Sequence, residues 1–265
     1  MEEGSGMDVG CAECAEPQAA VIVACGGVGS RFWESSEDLK RSTAEESPPG
    51  KQFVLLAGKP VLAYTLSVLE AHPRIAMVIL VLPRRHVQRG EALVNGLWPE
   101  DAPEKYQKVK LILEGGKDRQ ESVDKGLSAL ADFAWEGPVL VQDGVRPCTT
   151  AQIYDRVVQG VITRGNAIPA IPVRDTIKRA DASGTIKETL DRQGLWQIQT
   201  PQGFWMRDLR EAYDEGRRRG LRVTDDASLM EALGRQVYLV EGDPVNIKLT
   251  YNEDMVLLEA LLSRA

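Results

Sequence analysis

The sequence predicts an α/β fold in which a mostly parallel sheet is flanked by helices. Short apolar runs alternate with helical patterns along most of the chain, beginning with AAVIVA at residues 19–24. These runs are apolar at nearly every position, which is typical of strands covered on both faces. Two of the runs end in turn residues, CGGVGS after residue 24 and GVRP after residue 143. Because ligands in such sheets bind at the carboxyl ends of the strands, we expect the functional site there.

Each predicted element has its own sequence pattern. The first helix follows Pro60, which suits an opening position, and places Leu62, Leu66 and Leu69 on one face. A strand at the end of the chain, NIKLT at residues 246–250, is followed by a helix over residues 252–263. The other predicted strands are MVILVL (77–82), VKLILE (109–114) and PVLVQD (138–143), and the other predicted helices cover residues 84–95 and 121–131.

Three segments interrupt this alternation. We expect residues 1–18 to be a disordered tail and residues 19–265 to form one domain. Residues 33–50 are polar and end in Pro-Pro-Gly, which predicts a mobile surface loop. Residues 175–200 have the short strands of a projecting β-arm around ADASG.

The predicted β-arm carries apolar side chains at Leu190, Leu195, Trp196 and Ile198. Side chains of this kind on a projecting arm are expected to pack on a second subunit, which predicts a homodimer. Folding of the arm back onto its own domain is the alternative.

Composition excludes several classes of protein. The chain has 32 Lys and Arg against 39 Asp and Glu, and this net charge of -7 argues against nonspecific nucleic-acid binding. No apolar run approaches the roughly 18 to 20 residues that span a bilayer. The first residues lack the basic and apolar parts of a secretory signal. We therefore expect a cytoplasmic protein without membrane or nucleic-acid partners.

The cysteines do not predict a metal site. Cys11 and Cys14 form a CxxC pair in the polar tail, without the second pair that completes a zinc site. Cys25 and Cys148 lie beside predicted strand ends and are expected to be small packing residues.

The glycine turn after the first strand predicts a phosphate-binding loop. Glycine permits positive φ and a close approach of backbone N–H groups to phosphate oxygens. The Walker pattern is absent, and Phe32 stands where the dinucleotide fingerprint requires its third glycine. A purely steric glycine turn is the alternative. The predicted nucleotide contacts of this loop are Ala24, Cys25, Gly26, Gly27 and Gly29.

Further motifs make the chain resemble one family. The segment GKQFVLLAGKPVLAYTLSVLE is similar to the second motif of the sugar-phosphate nucleotidyltransferases. Together the motifs, in their order along the chain from about Ala20 to its end, resemble the 2-C-methyl-D-erythritol 4-phosphate cytidylyltransferases. The remaining motifs are EGGKDRQESV (114–123), VQDGVRP (141–147), PVRDTIKRA (172–180), LWQIQTPQGF (195–204), TDDAS (224–228) and VNIKLT (245–250).

The resemblance implies an activity and a Rossmann-like fold of the nucleotide-diphospho-sugar transferase type. The family joins CTP to a phosphorylated branched tetritol and releases pyrophosphate, in the non-mevalonate route to isoprenoid precursors. Because a phosphate monoester is already a nucleophile, no general base is needed, and His72 and His86 are expected on the surface. Bringing the two anions together instead requires fixed cations and a divalent metal, Mg²⁺.

Four cations are the predicted catalytic residues. By resemblance, Arg31 and Lys51 flank the triphosphate, and Arg174 grips the sugar phosphate in the neighbouring subunit's site. Lys248 lies in an apolar segment where a lysine needs a partner, so we expect a phosphate contact there.

The remaining predicted site residues surround the nucleotide and the tetritol. Asp143 follows a buried strand, where its carboxylate can meet Mg²⁺ or sugar hydroxyls. A turn or cap role is the alternative for Asp143, and a plain turn is the alternative for the second glycine loop. The other predicted CTP contacts are Gly115, Gly116, Ser122 and Gly144, and the other predicted substrate contacts are Arg146, Thr176 and Thr200.

Three other functions stay open at this point. A ribitol 5-phosphate cytidylyltransferase shares the glycine loop and QTPQ, although its relatives generally lack PVRDT. A catalytically silent nucleotide-binding protein is compatible with the unusually long 33–50 segment, but the cationic residues argue against it. A nicotinamide-dependent oxidoreductase predicts a complete glycine fingerprint, which is absent.

Overall fold

The computed structural model of the chain describes residues 17–25, 32–33, 50–98 and 104–263. Nearly all of the predicted tail and of the 33–50 segment lies outside these residues, as does the CxxC pair. The strands are β1 (Ala19–Ala24), β2 (Leu55–Leu56), β3 (Lys59–Pro60), β4 (Ile75–Leu82), β5 (Val109–Glu114), β6 (Pro138–Asp143), β7 (Asn166–Pro172), β8 (Ile177–Ala180), β9 (Ile186–Leu190), β10 (Trp196–Ile198), β11 (Gln202–Trp205) and β12 (Leu239–Glu241).

Helices connect most of these strands. Short 3₁₀ turns at Lys51–Phe53 and Arg84–His86 precede the first two helices. The α-helices that lie wholly within the described residues are α1 (Val61–Ala71), α2 (Val87–Val94), α3 (Arg119–Asp132), α4 (Ala151–Arg164), α5 (Met206–Arg218), α6 (Ala227–Ala232) and α7 (Asp254–Leu262). None of the helices among the described residues is both long enough and apolar enough to cross a bilayer.

The central sheet is mixed but mostly parallel, which confirms the predicted fold class. Its described strands lie in the order β10-β7-β11-β6-β1-β4-β5, and β12 pairs with β7. The pairs β1–β4, β1–β6, β4–β5 and β12–β7 are parallel, and the three pairs that involve β10 or β11 are antiparallel.

The core lies on both faces of this sheet, as the apolar runs predict. Along β1, Val21 and Val23 pack into one apolar cluster, whereas Ala20 and Ile22 pack into the other. All four are fully buried. The prediction is wrong for β5, which ends the described sheet and leaves Leu111 partly exposed because it has a strand neighbour on one side only.

The region of the predicted β-arm contains two different structures. Strands β8 and β9 form an antiparallel hairpin that is paired with no other described strand, and most of its residues are exposed. Strand β10 lies within the predicted arm but pairs with β7 of the central sheet, where Trp196 is opposite Pro172. Packing of the hairpin on a second subunit stays a prediction.

The predicted last strand, NIKLT, is not a strand. Instead of a ladder, local hydrogen bonds hold this segment, with the Ile247 N–H donating to the Val245 carbonyl. One backbone bond fixes its far end, from the Leu249 N–H to the Val145 carbonyl at 2.9 Å.

The expectation of two surface histidines is also wrong. His72 is buried, and its Nδ1 accepts a hydrogen bond from the Arg74 N–H at 3.2 Å. His86 is buried against the Phe53 ring at a centroid distance of 5.5 Å. The carbon atoms of both rings pack against aromatic side chains, and a nitrogen of each ring lies within hydrogen-bond distance of a protein donor.

Candidate active site

The candidate site lies where the order of the sheet changes direction. From β1 the chain moves through β4 to β5 on one side and then continues with β6 on the other side of β1. Open α/β sheets bind ligands at this point, beyond the carboxyl ends of the strands. Ala24 ends β1 directly beside Asp143, which ends β6. The first residue of the predicted nucleotide loop, Ala24, and the predicted carboxylate are therefore neighbours.

Asp143 is a buried carboxylate surrounded by three cations. Only 5% of the residue is exposed. Its Oδ2 is 2.7 Å from the Lys248 Nζ, and its Oδ1 is 3.2 Å from the Arg119 Nε. The Arg146 Nε lies farther away, 3.8 Å from Oδ2. The structure thus brings together the predicted residues Asp143, Arg146 and Lys248, and adds Arg119.

These cations keep Asp143 ionised. Burial raises the pKa of the carboxyl, but attraction to Arg119, Lys248 and Arg146 outweighs burial and holds that pKa well below its usual range. The site therefore holds a fixed negative charge among positive ones.

Arg119 is the member of this cluster that the sequence analysis missed. It opens α3, whose preceding Asp118 accepts a hydrogen bond from the Glu121 N–H. Its Nη2 donates to the fully buried Asp226 at 2.8 Å. Burial lowers the pKa of Arg119, but Asp226 and then Asp143 raise it well above the ordinary value.

The sequence contained part of the evidence that Arg119 belongs to the site. Arg119 and Asp226 both lie in motifs that carry the family resemblance, EGGKDRQESV and TDDAS. They are 107 positions apart, and only the folded chain shows that they form an ion pair.

Lys51 contacts the segment that carries Lys248. The Lys51 Nζ donates a hydrogen bond to the Leu249 carbonyl at 2.7 Å, directly beside Lys248. The Lys248 side chain is 39% exposed, whereas that of Asp143 is 8% exposed. The ammonium of Lys248 is therefore accessible to a ligand that arrives at the strand ends.

Arg146 and Thr200 complete this cluster from its buried side. The Asp143 N–H donates to the Thr200 Oγ1 at 3.1 Å. The Arg146 Nη1 donates to the Asn246 carbonyl at 2.6 Å, and the Asn246 side-chain amide donates to the Thr200 carbonyl at 3.0 Å. These bonds tie the segment that carries Lys248 to the end of β6.

The second glycine turn connects β5 to α3, as predicted. The Gly115 N–H donates to the Leu82 carbonyl, and the Gly116 N–H donates to the Ser122 Oγ at 3.0 Å. The Ser122 hydroxyl is buried and donates in turn to the Asp118 carbonyl at 2.8 Å. In this structure Ser122 shapes the turn, and its contact with CTP stays a prediction.

Close packing explains the glycine at position 144. Its N–H donates to the Ala24 carbonyl at 3.2 Å. A methyl group added there would lie 2.3 Å from the Cys25 Sγ and 3.1 Å from Val23. Cys25 is buried, and burial followed by repulsion from Asp143 raises the pKa of its thiol. Cys25 is thus a packing residue, as expected.

The substitution Gly144→Ala tests this packing. We expect it to lower the free energy of unfolding by about 1–3 kcal/mol, because the methyl group overpacks the β1–β6 contact. The double variant Cys25→Ala/Gly144→Ala removes the sulfur. Its loss in free energy of unfolding should be smaller than the sum of the losses in the two single variants. Urea unfolding measures both effects. A Gly144→Ala variant as stable as the wild type would contradict the packing explanation.

Some predicted site residues are not joined to this cluster. Arg174 and Thr176 are exposed at the base of the β8–β9 hairpin, and within the described ranges no hydrogen bond or ion pair links either side chain to Asp143. Ala24 and Cys25 of the first glycine loop lie at the end of β1, and their contact with CTP stays a prediction, whereas four further predicted residues lie outside the described residues. These are Gly26, Gly27, Gly29 and Arg31.

The donor set limits how a metal could bind. Within the ranges that the structure covers, no three His, Cys, Asp or Glu side chains cluster so as to hold a metal ion. Asp143 supplies one carboxylate. A metal bound by protein ligands alone does not fit this site. A Mg²⁺ ion that takes most of its ligands from phosphate oxygens and water does fit.

Two relatives of this chain have the same name. A relative from Geobacillus kaustophilus is 40% identical over 213 residues, which cover 80% of this chain and 89% of that protein. A relative from Syntrophus aciditrophicus is 37% identical, over 94% of this chain and 97% of that protein. Both are named 2-C-methyl-D-erythritol 4-phosphate cytidylyltransferase.

A solved structure agrees with the sequence relatives. The 2-C-methyl-D-erythritol 4-phosphate cytidylyltransferase of Thermus thermophilus is 31% identical to this chain, with a TM-score of 0.67, and the match covers 92% of this chain and 98% of that one. The sequence model of the family, described as IspD, 2-C-methyl-D-erythritol 4-phosphate cytidylyltransferase, matches residues 19–264. With a buried carboxylate and three cations at the switch point of the sheet, this chain belongs to the 2-C-methyl-D-erythritol 4-phosphate cytidylyltransferase family.

Proposed function

We propose that the site around Asp143 transfers a cytidylyl group from CTP to 2-C-methyl-D-erythritol 4-phosphate. The products are 4-diphosphocytidyl-2-C-methyl-D-erythritol and pyrophosphate, in the non-mevalonate route to isoprenoid precursors. The observation that carries the proposal is the convergence of Lys248, Arg119 and Arg146 on Asp143 at the switch point. This arrangement lets two anionic substrates meet at a place of fixed positive charge.

The chemistry needs positioning and charge rather than proton transfer. An oxygen of the tetritol phosphate attacks the α-phosphorus of CTP, and the bond from that phosphorus to the bridging oxygen breaks. The electron pair leaves with pyrophosphate. The cations that stabilise this charge are Lys248, Lys51 and, by resemblance, Arg31. The Lys51 ammonium contacts the segment that carries Lys248.

Three further features belong to the proposal. Mg²⁺, bound through Asp143 and the triphosphate, would supply positive charge at the phosphate oxygens. The exposed β8–β9 hairpin would pack on a second copy of the chain, which would place Arg174 near the partner's site. The cytoplasm is the proposed location, in keeping with the expectation from the sequence.

Arg174→Ala tests the assignment of the hairpin. Arg174 is exposed and has no ion-pair partner among the described residues, so its charge is available to a phosphate. We expect the KM for the tetritol phosphate to rise about tenfold or more while kcat changes little. Steady-state kinetics with each substrate varied measures this effect.

The matched control for Arg174→Ala is Arg179→Ala, which removes an arginine of the same hairpin that pairs with Glu188. Its KM values should stay near those of the wild type. An unchanged KM in Arg174→Ala, or an equal rise in both variants, would contradict the assignment.

Pyrophosphate release tests the proposed function. The purified full chain, with CTP and Mg²⁺, should release pyrophosphate rapidly with 2-C-methyl-D-erythritol 4-phosphate and only slowly with ribitol 5-phosphate. A preference for ribitol 5-phosphate would favour the alternative enzyme. No release with either substrate would favour a catalytically silent relative.

A further inference from the structure

Lys248 and Arg119 hold opposite oxygens of the same carboxylate. Lys248 contacts Oδ2 of Asp143, and Arg119 contacts Oδ1. Arg146 does not replace Lys248, because its Nε is 3.8 Å from Oδ2, too far for a hydrogen bond. Among the described side chains, Arg119 is therefore the one that still donates a hydrogen bond to Asp143 if Lys248 moves away.

Of these two cations, Lys248 is the one free to move. Its side chain is 39% exposed, and among the described carboxylates its ammonium has one ion-pair partner, Asp143. The Arg119 side chain is 23% exposed and is fixed at both ends of its guanidinium, by Asp143 and by Asp226.

Asp226 is itself rigidly held. It is fully buried, and its Oδ1 accepts a hydrogen bond from the Tyr213 hydroxyl at 2.5 Å. Its backbone N–H donates to the Gln202 Oε1 at 3.0 Å. Helix α5 thus holds the carboxylate that orients Arg119, and strand β11 holds the backbone of the same residue at the start of α6.

We propose that Arg119 is a positioning residue, which holds the Asp143 carboxylate in place while Lys248 leaves it for a substrate phosphate, and which Asp226 and Tyr213 orient in turn. The proposal rests on the proposed function. Tyr213 and Asp226 would then influence turnover without touching either substrate. A purely structural network would affect stability alone.

Kinetics of three variants separate these roles. At temperatures well below their melting transitions, Arg119→Gln should lower kcat by about tenfold to 100-fold, with both KM values within about twofold of the wild type. Arg119→Lys, which keeps the charge but cannot bridge two carboxylates, should recover part of that loss. Tyr213→Phe should lower kcat by about threefold to tenfold. The control Arg207→Gln, at an exposed position of α5, should match the wild type.

A crystal structure tests the positioning without relying on activity. In Lys248→Ala, the Asp143 carboxylate should keep its rotamer and stay within hydrogen-bond distance of Arg119. In Arg119→Gln/Lys248→Ala it should adopt a different rotamer or show no defined density.

Two results would overturn the proposal. One is a folded Arg119→Gln variant with the kcat of an active wild type, and the other is an Asp143 that turns away from Arg119 in Lys248→Ala. If the wild type releases no pyrophosphate, the proposed function fails, and the two crystal structures still decide the role of Arg119.

Discussion

Lys248→Ala is expected to lower kcat by roughly 100-fold to 1,000-fold, the range seen when a charge-stabilising group is removed from an active site. Its side chain is the most exposed of the three cations around Asp143, at 39%, against 23% for Arg119 and 10% for Arg146. It is therefore the cation best placed to reach a substrate phosphate. Steady-state pyrophosphate release measures the effect.

The same substitution should cost little stability. Asp143 keeps its contact with Arg119 in Lys248→Ala, so we expect the free energy of unfolding to fall by only about 1 kcal/mol. Lys110→Ala, which removes an exposed lysine on β5, is the matched control and should leave kcat unchanged. A Lys248→Ala variant with full turnover would refute the assignment of Lys248 to the reaction.

Unlike Lys248→Ala, Asp143→Asn should greatly lower the free energy of unfolding. It removes the negative charge that Arg119, Arg146 and Lys248 share, and leaves positive charges close together in a buried place. Removing one partner of a buried ion pair typically costs about 3–5 kcal/mol. We expect a loss of that size in the free energy of unfolding from urea titrations, together with strongly reduced turnover.

The control for Asp143→Asn is Asp132→Asn, at the exposed end of α3. It makes the same chemical change without a buried ion pair and should stay within about 0.5 kcal/mol of the wild type. If Asp143→Asn were as stable as this control, Asp143 would not be the centre of a buried charge cluster.

Local pattern was sufficient for much of the fold. The apolar runs that become β1, β4 and β6 are covered on both faces, and apolar composition alone indicates this. The same rule fails for β5, because the position of a strand in the sheet depends on its neighbours and not on its own composition. The strand prediction for NIKLT failed for a related reason, because the hydrogen bonds of this segment go to its own turn and to backbone carbonyls distant in sequence, such as that of Thr200.

The site was predictable where a residue follows a strand or a glycine turn. Asp143 and Gly144 were found in this way, whereas Lys248 was predicted because a lysine in an apolar segment needs a partner. The structure brings Lys248 to Asp143 at the end of β6. Arg119 was not predicted, because its role depends on Asp226 on a distant segment. The burial of Ser122 could not be predicted from the sequence either, because a serine in the first turn of a helix can face either a ligand or its own turn.

A crystal structure of the full chain with CTP, Mg²⁺ and 2-C-methyl-D-erythritol 4-phosphate, or with the cytidylylated product, tests the central claim most directly. The account predicts that the phosphates lie at the carboxyl ends of β1 and β6, with the Lys248 ammonium moved from Asp143 to a phosphate oxygen and Arg119 still on Asp143. Phosphates bound away from this edge, with Lys248 still paired to Asp143, would contradict it.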